Sequence, residues 1–129
     1  KLIEAGGFDT WYFVDGIDVE LGYRLKKLGY KILRCNSAIL NHLPAQTVCR
    51  NLFGKTFKYG IASPERYYYQ ARADTRIIMS YFSPYAFLDL FMRLSKIIFL
   101  FDRKKEYLTA WKKGVKDAIY NRGGGKRNF

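Results

Sequence analysis

The stretch that decides the reading runs from Gly6 to His42: GGFDTWYFVDGIDVELGYRLKKLGYKILRCNSAILNH. Gly6-Gly7 signals a turn. Thr10-Trp11-Tyr12-Phe13-Val14, β-branched and aromatic, predicts a short strand that Asp15-Gly16 stops. Asp15 suits a helix N-cap, and Asp18, three residues on, falls where an acid folds back on the cap. Ile17, Leu21, Leu25 and Leu28 recur at helical spacing. A helix to about Leu28 is therefore expected to bury that stripe and to turn Arg24, Lys26 and Lys27 outward. Gly29 ends it. Tyr30 to Arg34 and Ser37 to Asn41 predict two more strands, the second running into His42, the sole histidine.

The chemistry of this stretch has two readings. Asp15 and Asp18 lie where a strand ends and a helix opens, the place where α/β sheets collect ligands. A carboxylate at Asp18 can take a proton from a bound hydroxyl. Trp11, Tyr12 and Phe13 can offer a flat apolar surface to the C–H face of a sugar. A neutral His42 can ligate a divalent metal, although one histidine is not a metal site. The other reading is structural. The two acids cap a helix, worth about 1 kcal/mol, the rings fill a core, and the histidine ends a strand.

Outside this stretch the chain turns helical. Residues 43–62 lack a sustained period and predict a loop with one helical turn. Ser63-Pro64-Glu65 starts a helix that should reach Tyr81, and Ser83-Pro84 starts another in the same way. The body of that second helix, Tyr85 to Phe101, is apolar except for Asp89, Arg93 and Lys96, spaced to share one face. A third helix follows Asp102-Arg103 to about Tyr120, with Leu108, Trp111, Val115, Ala118 and Ile119 on its apolar side. The tail from Gly123 reads as flexible and basic.

The chain has 129 residues and a formal net charge of +12. Fourteen basic against six acidic side chains place +8 of it in residues 63–129. Such a surface attracts phosphate, whether nucleic acid, anionic lipid or phosphorylated substrate. The helix over 84–101 is short for a bilayer span of about 20 residues and fits an in-plane interfacial helix, with Arg93 and Lys96 toward headgroups. A helical hairpin packed on the core or on a second subunit is the alternative use of residues 84–120. Two cysteines fourteen apart form no disulfide-dense pattern and favour a reducing compartment. The opening Lys1-Leu2-Ile3, without methionine or signal peptide, reads as part of something longer.

Taken whole, Gly6–His42 resembles the C-terminal half of the catalytic domain of inverting family 2 nucleotide-sugar glycosyltransferases, in particular the rhamnosyltransferase-like members. That family writes a line close to GGFDExFFIDxVDxExxxRxxxxGYKIxxxxxAxxxH, matched here in order and without a gap. The later SPERYYYQAR resembles a segment these proteins often carry, with Ala73 where they have Asn. The resemblance implies an α/β fold: the C-terminal part of a GT-A domain (residues 1–45), a linker (46–62), a mostly helical extension (63–122) and a basic tail (123–129). It implies that Asp18 is the catalytic base, that His42 completes a Mg²⁺ or Mn²⁺ site, and that Asp15 lines the site. Gly6, Gly7 and Trp11 would form the acceptor-side wall.

The implied reaction is a single displacement. Asp18 takes the proton of an acceptor hydroxyl, that oxygen attacks the anomeric carbon of a nucleotide sugar, and the metal stabilises the leaving diphosphate. The acceptor would be a saccharide or lipid-linked saccharide, in cell-surface polysaccharide synthesis at the inner face of the cytoplasmic membrane. The family's nucleotide-binding half, its Asp-x-Asp metal motif and the Gln-x-x-Arg-Trp signature of processive members do not stand in these 129 residues. This chain alone is thus expected to be inactive, and the parent protein to add one or few sugars.

Competing classes are a basic aromatic module that binds a membrane surface or nucleic acid without catalysis, and a glycoside hydrolase. The basic residues are scattered over apolar helices and no RNA-recognition motif stands in the chain, so no nucleic-acid partner is expected. Asp15 and Asp18, on one segment, are poorly placed to flank a scissile bond from two sides.

Overall fold

Ser63 starts the helix on which the other elements lean. Its hydroxyl accepts the Arg66 N–H at 3.2 Å, and Pro64 takes the first position, where no N–H is needed. In the computed structural model, which describes residues 2–33, 35–41, 46–52 and 54–125, the elements follow in the order α1 (Ile17–Lys27), β1 (Thr47–Leu52), β2 (Lys55–Gly60), α2 (Pro64–Tyr81), α3 (Pro84–Phe99) and α4 (Lys104–Ile119). α2 buries residues on nearly every side: Tyr67, Tyr68, Tyr69, Ala71, Arg72, Ala73, Asp74, Thr75 and Ile77. It packs most extensively on α4, then on α3.

The three consecutive tyrosines point into different contacts. Tyr67 meets Phe101 and Tyr107 edge-on, in a cluster with Ile97. Burial pushes its phenol up to about 12. Tyr68 donates to Asp117 of α4 at 2.8 Å. Tyr69 packs with Tyr68 and Ala110 and also meets Phe13. Gly114 allows this closeness: a Cβ there would lie 2.3 Å from the Tyr68 carbonyl oxygen. Arg72 is only 1% exposed, yet its charge is served by the carbonyls of Trp11, Arg122 and Gly124 and by the faces of Trp11, Tyr68 and Tyr69.

The expected boundaries of α2, α3 and α4 agree with the structure to within two residues at each helix end. Ser83 caps α3 as Ser63 caps α2, accepting from Ala86 N–H at 3.2 Å. Four other expectations are corrected. The loop over 43–62 contains an antiparallel hairpin, Thr47 opposite Gly60 through Leu52 opposite Lys55, around Gly54 at φ +75°. It is pinned to the end of α3 by Arg50, which reaches the Leu100 carbonyl and Asp102, and by Tyr59, which donates to the same carbonyl at 2.9 Å.

Thr10–Val14 is no strand. The Asp9 carboxylate accepts the Trp11 N–H at 2.9 Å and its carbonyl accepts the Tyr12 N–H, which folds the segment into a turn. The described parts of 30–34 and 37–41 are irregular as well. Leu33 and Leu40 are 86% and 87% exposed, and among the described residues no strand pairs with these segments. The start of the tail, finally, is held down rather than loose: Gly124 N–H donates to the Trp11 carbonyl at 2.9 Å.

Candidate active site

α1 begins at Gly16, whose φ of +83° and whose approach to α2 both require glycine. A Cβ there would stand 2.7 Å from that of Ala73. The N-cap is thus Gly16 and not Asp15, and no side chain caps the helix. The expected apolar stripe is also displaced. Glu20 is the buried residue of α1, while Leu28 is exposed and Leu21 and Leu25 are half-buried. Glu20 holds Arg24 through two 3.0 Å bonds and accepts the Tyr81 hydroxyl at 2.7 Å. Arg24, expected outside, spends its other donors on the carbonyls of Ala5 and Gly7. The Tyr81 phenol is pushed up to about 12, first by burial and then by Glu20. Gly29 at φ +82° closes α1, with Tyr30 N–H to Leu25 O and Gly29 N–H to Lys26 O, a Schellman ending.

This anchoring presses the start of α1 over α2 and α3 and leaves a cavity of about 210 Å³ between them. Asp15, Asp18 and Tyr23 line it from the first side, Gln70 and Asp74 from α2, and Tyr85, Asp89 and Arg93 from α3. Four carboxylates thus face one guanidinium. Arg93 is committed: its Nε donates to Asp74 at 2.8 Å and its Nη1 to Gln70 at 2.7 Å. Even so, burial raises the Asp74 carboxyl to about 6, with Asp89 and Asp15 pushing the same way and Arg93 opposing.

Asp15 Oδ1 receives Arg66 at 3.3 Å, whereas its Oδ2 is buried with no hydrogen-bond partner among the described residues. Asp18 is exposed at the cavity's lip and makes no hydrogen bond or ion pair among the described residues. Carboxylates with open lone pairs, beside the Tyr85 ring, are groups that accept from sugar hydroxyls and stack on a sugar face.

Of the residues singled out in the sequence, Asp15 and Asp18 come together here. Trp11 does not line this cavity. Its ring lies under the Arg72 and Arg76 guanidinium groups at 5.1 Å each, its Nε1 donates to Asn121 at 3.1 Å, and Gly123 packs against it. Gly7, at φ +67°, shapes the turn whose carbonyls Arg24 reads. Gly6 lies in the same turn at φ +86°. His42 falls outside the described residues.

The sequence reading missed Gln70, Asp74 and Tyr85, and gave Asp89 and Arg93 another use. The available signal was three charged residues, Asp89, Arg93 and Lys96, sharing one face of an otherwise apolar helix. It marks a face turned toward polar partners, and those partners lie inside the protein. The chain matches no known protein-family model, no curated protein and no solved structure.

Proposed function

We propose that this chain is the acceptor-side, base-bearing part of an inverting nucleotide-sugar glycosyltransferase of the rhamnosyltransferase-like kind. In this reading it is the C-terminal part of a GT-A domain followed by a helical extension. The observation that carries the reading is Asp18, a carboxylate unpaired among the described residues, at the mouth of a cavity rich in hydrogen-bond acceptors. The order of residues from Gly6 to His42 supports it. So do the exposed apolar residues Ile32, Leu33, Ile39 and Leu40, which have the composition of sheet strands and pair with no strand among the described residues.

In this mechanism an acceptor hydroxyl sits in the cavity and gives its proton to Asp18. Its oxygen then forms a bond to the anomeric carbon of the donor as the bond to the nucleoside diphosphate breaks, which inverts that carbon. Asp15, Asp89 and Gln70 orient the other hydroxyls. Among the described residues no three His, Cys, Asp or Glu side chains converge to hold a metal ion. The expected ligand of the Mg²⁺ or Mn²⁺ of such enzymes, His42, lies outside the described residues, and no step here passes through that metal. The acceptor is a saccharide or lipid-linked saccharide, and the site of action the inner face of the cytoplasmic membrane. No helix among the described residues is long and apolar enough to cross a membrane.

The test is transfer of radiolabelled sugar by a polypeptide that joins this chain to a nucleotide-binding half. Asp18→Asn should lower kcat by about 10²–10⁴ with KM little changed. An unaltered kcat overturns the assignment. This chain alone should transfer nothing, and clear turnover by it would contradict the division of labour proposed.

A further inference from the structure

α3 wears its polarity the wrong way round for a surface helix. Of its three charged residues, Arg93 is turned inward onto Asp74 and Gln70, Lys96 is half-buried, and Asp89 is exposed at the cavity wall. Its outward arc carries Phe87, Leu88, Phe91, Met92, Ile98 and Phe99, all exposed, with Phe91 at 60%. At 3.6 residues per turn these six positions share one side of the helix, with Ser95 among them and no charged residue. Uncharged strips of this kind on an otherwise solvated protein mark an interaction surface.

We infer that this strip of α3 lies in the plane of an anionic lipid bilayer surface, its rings in the acyl boundary. The occupant follows from charge and length. The chain carries +12, so a second copy repels it, whereas an anionic headgroup layer attracts it. Exposed Lys104 and Lys105 follow within six residues of Phe99, at the end of the strip. Sixteen residues of helix span about 24 Å, short of the roughly 30 Å hydrocarbon core, so α3 lies along the surface and does not cross it. This surface differs from the sequence expectation, which pointed Arg93 at the headgroups. It stands independently of the glycosyl-transfer reading.

The experiment is flotation of the full chain with vesicles of phosphatidylcholine containing phosphatidylglycerol, against phosphatidylcholine alone. Binding to the anionic vesicles is expected, at least about tenfold weaker without phosphatidylglycerol. Phe91→Glu and Leu88→Glu, at exposed positions, should each reduce binding about tenfold or more while circular dichroism and the unfolding midpoint stay unchanged. A Phe91→Trp variant should show a blue-shifted emission only with anionic vesicles. Absence of flotation, equal flotation on both vesicles, or flotation indifferent to both Glu variants would overturn the inference. So would a dimer in sedimentation that Phe91→Glu dissociates, since a second copy would then cover the strip.

Discussion

Glu20 and Asp74 show how differently one fold treats two buried acids. Glu20 accepts from Arg24 twice and from Tyr81 once, so its charge is well served. Glu20→Ala would remove the acceptor that Arg24 and Tyr81 share, leaving Arg24 its two carbonyls, and is expected to cost about 1–3 kcal/mol in urea unfolding. Asp74 is less well served, and its raised value of about 6 stands above the ordinary 3.8. The folded chain therefore holds that proton more tightly than the unfolded chain. The contribution of this group to stability grows as pH falls from about 6 toward 3.8, and is lost as pH rises through 6. Carboxyl NMR of Asp74 should show a midpoint near 6. Arg93→Gln should move it higher, because the guanidinium is the main group opposing burial. A midpoint near 4 would contradict the burial described for this side chain.

At the scale of elements, α2 is the post and Gly114 the point where α4 meets it. Gly114→Ala would drive a methyl to 2.3 Å from the Tyr68 carbonyl oxygen and 3.1 Å from the Arg72 nitrogen. A loss of about 1–3 kcal/mol in unfolding free energy is expected, against little effect for Ala at Gly125, where space is open. Ser63→Ala should cost about 1 kcal/mol and fray the start of α2. The three C-terminal helices were legible because their start signals are local: Ser-Pro puts a cap acceptor and a residue without N–H side by side. The hairpin was not read, though its signal was also local, a Gly at the second place of a two-residue connection between Thr47–Leu52 and Lys55–Gly60. Thr10–Val14 misled because β-propensity only matters where a neighbour offers a ladder, and Asp9 supplied a turn first. In the site, Asp15 and Asp18 could be found from their spacing across the start of one helix. Asp74 and Gln70 could not, since their proximity depends on how the cap of α1 at Gly16 meets Ala73 of α2.

For the whole molecule, charge and apolar surface divide the work. The buried cation Arg72 ties together the Trp11 turn, α2 and the segment after α4 through carbonyls, so the N-terminal and C-terminal parts share one framework. That framework holds Asp18 at the lip of its cavity on one side of α3's N-terminal half, with Tyr85 and Asp89 on the opposite wall. The central claim is that a single carboxylate there serves a direct displacement. The most direct measurement is the anomeric configuration, by NMR coupling constants, of the first product formed when this chain is joined to a donor-binding half. The account predicts a configuration opposite to that of the nucleotide sugar. Retention of the donor's configuration would contradict it, because retention cannot come from one displacement assisted by Asp18.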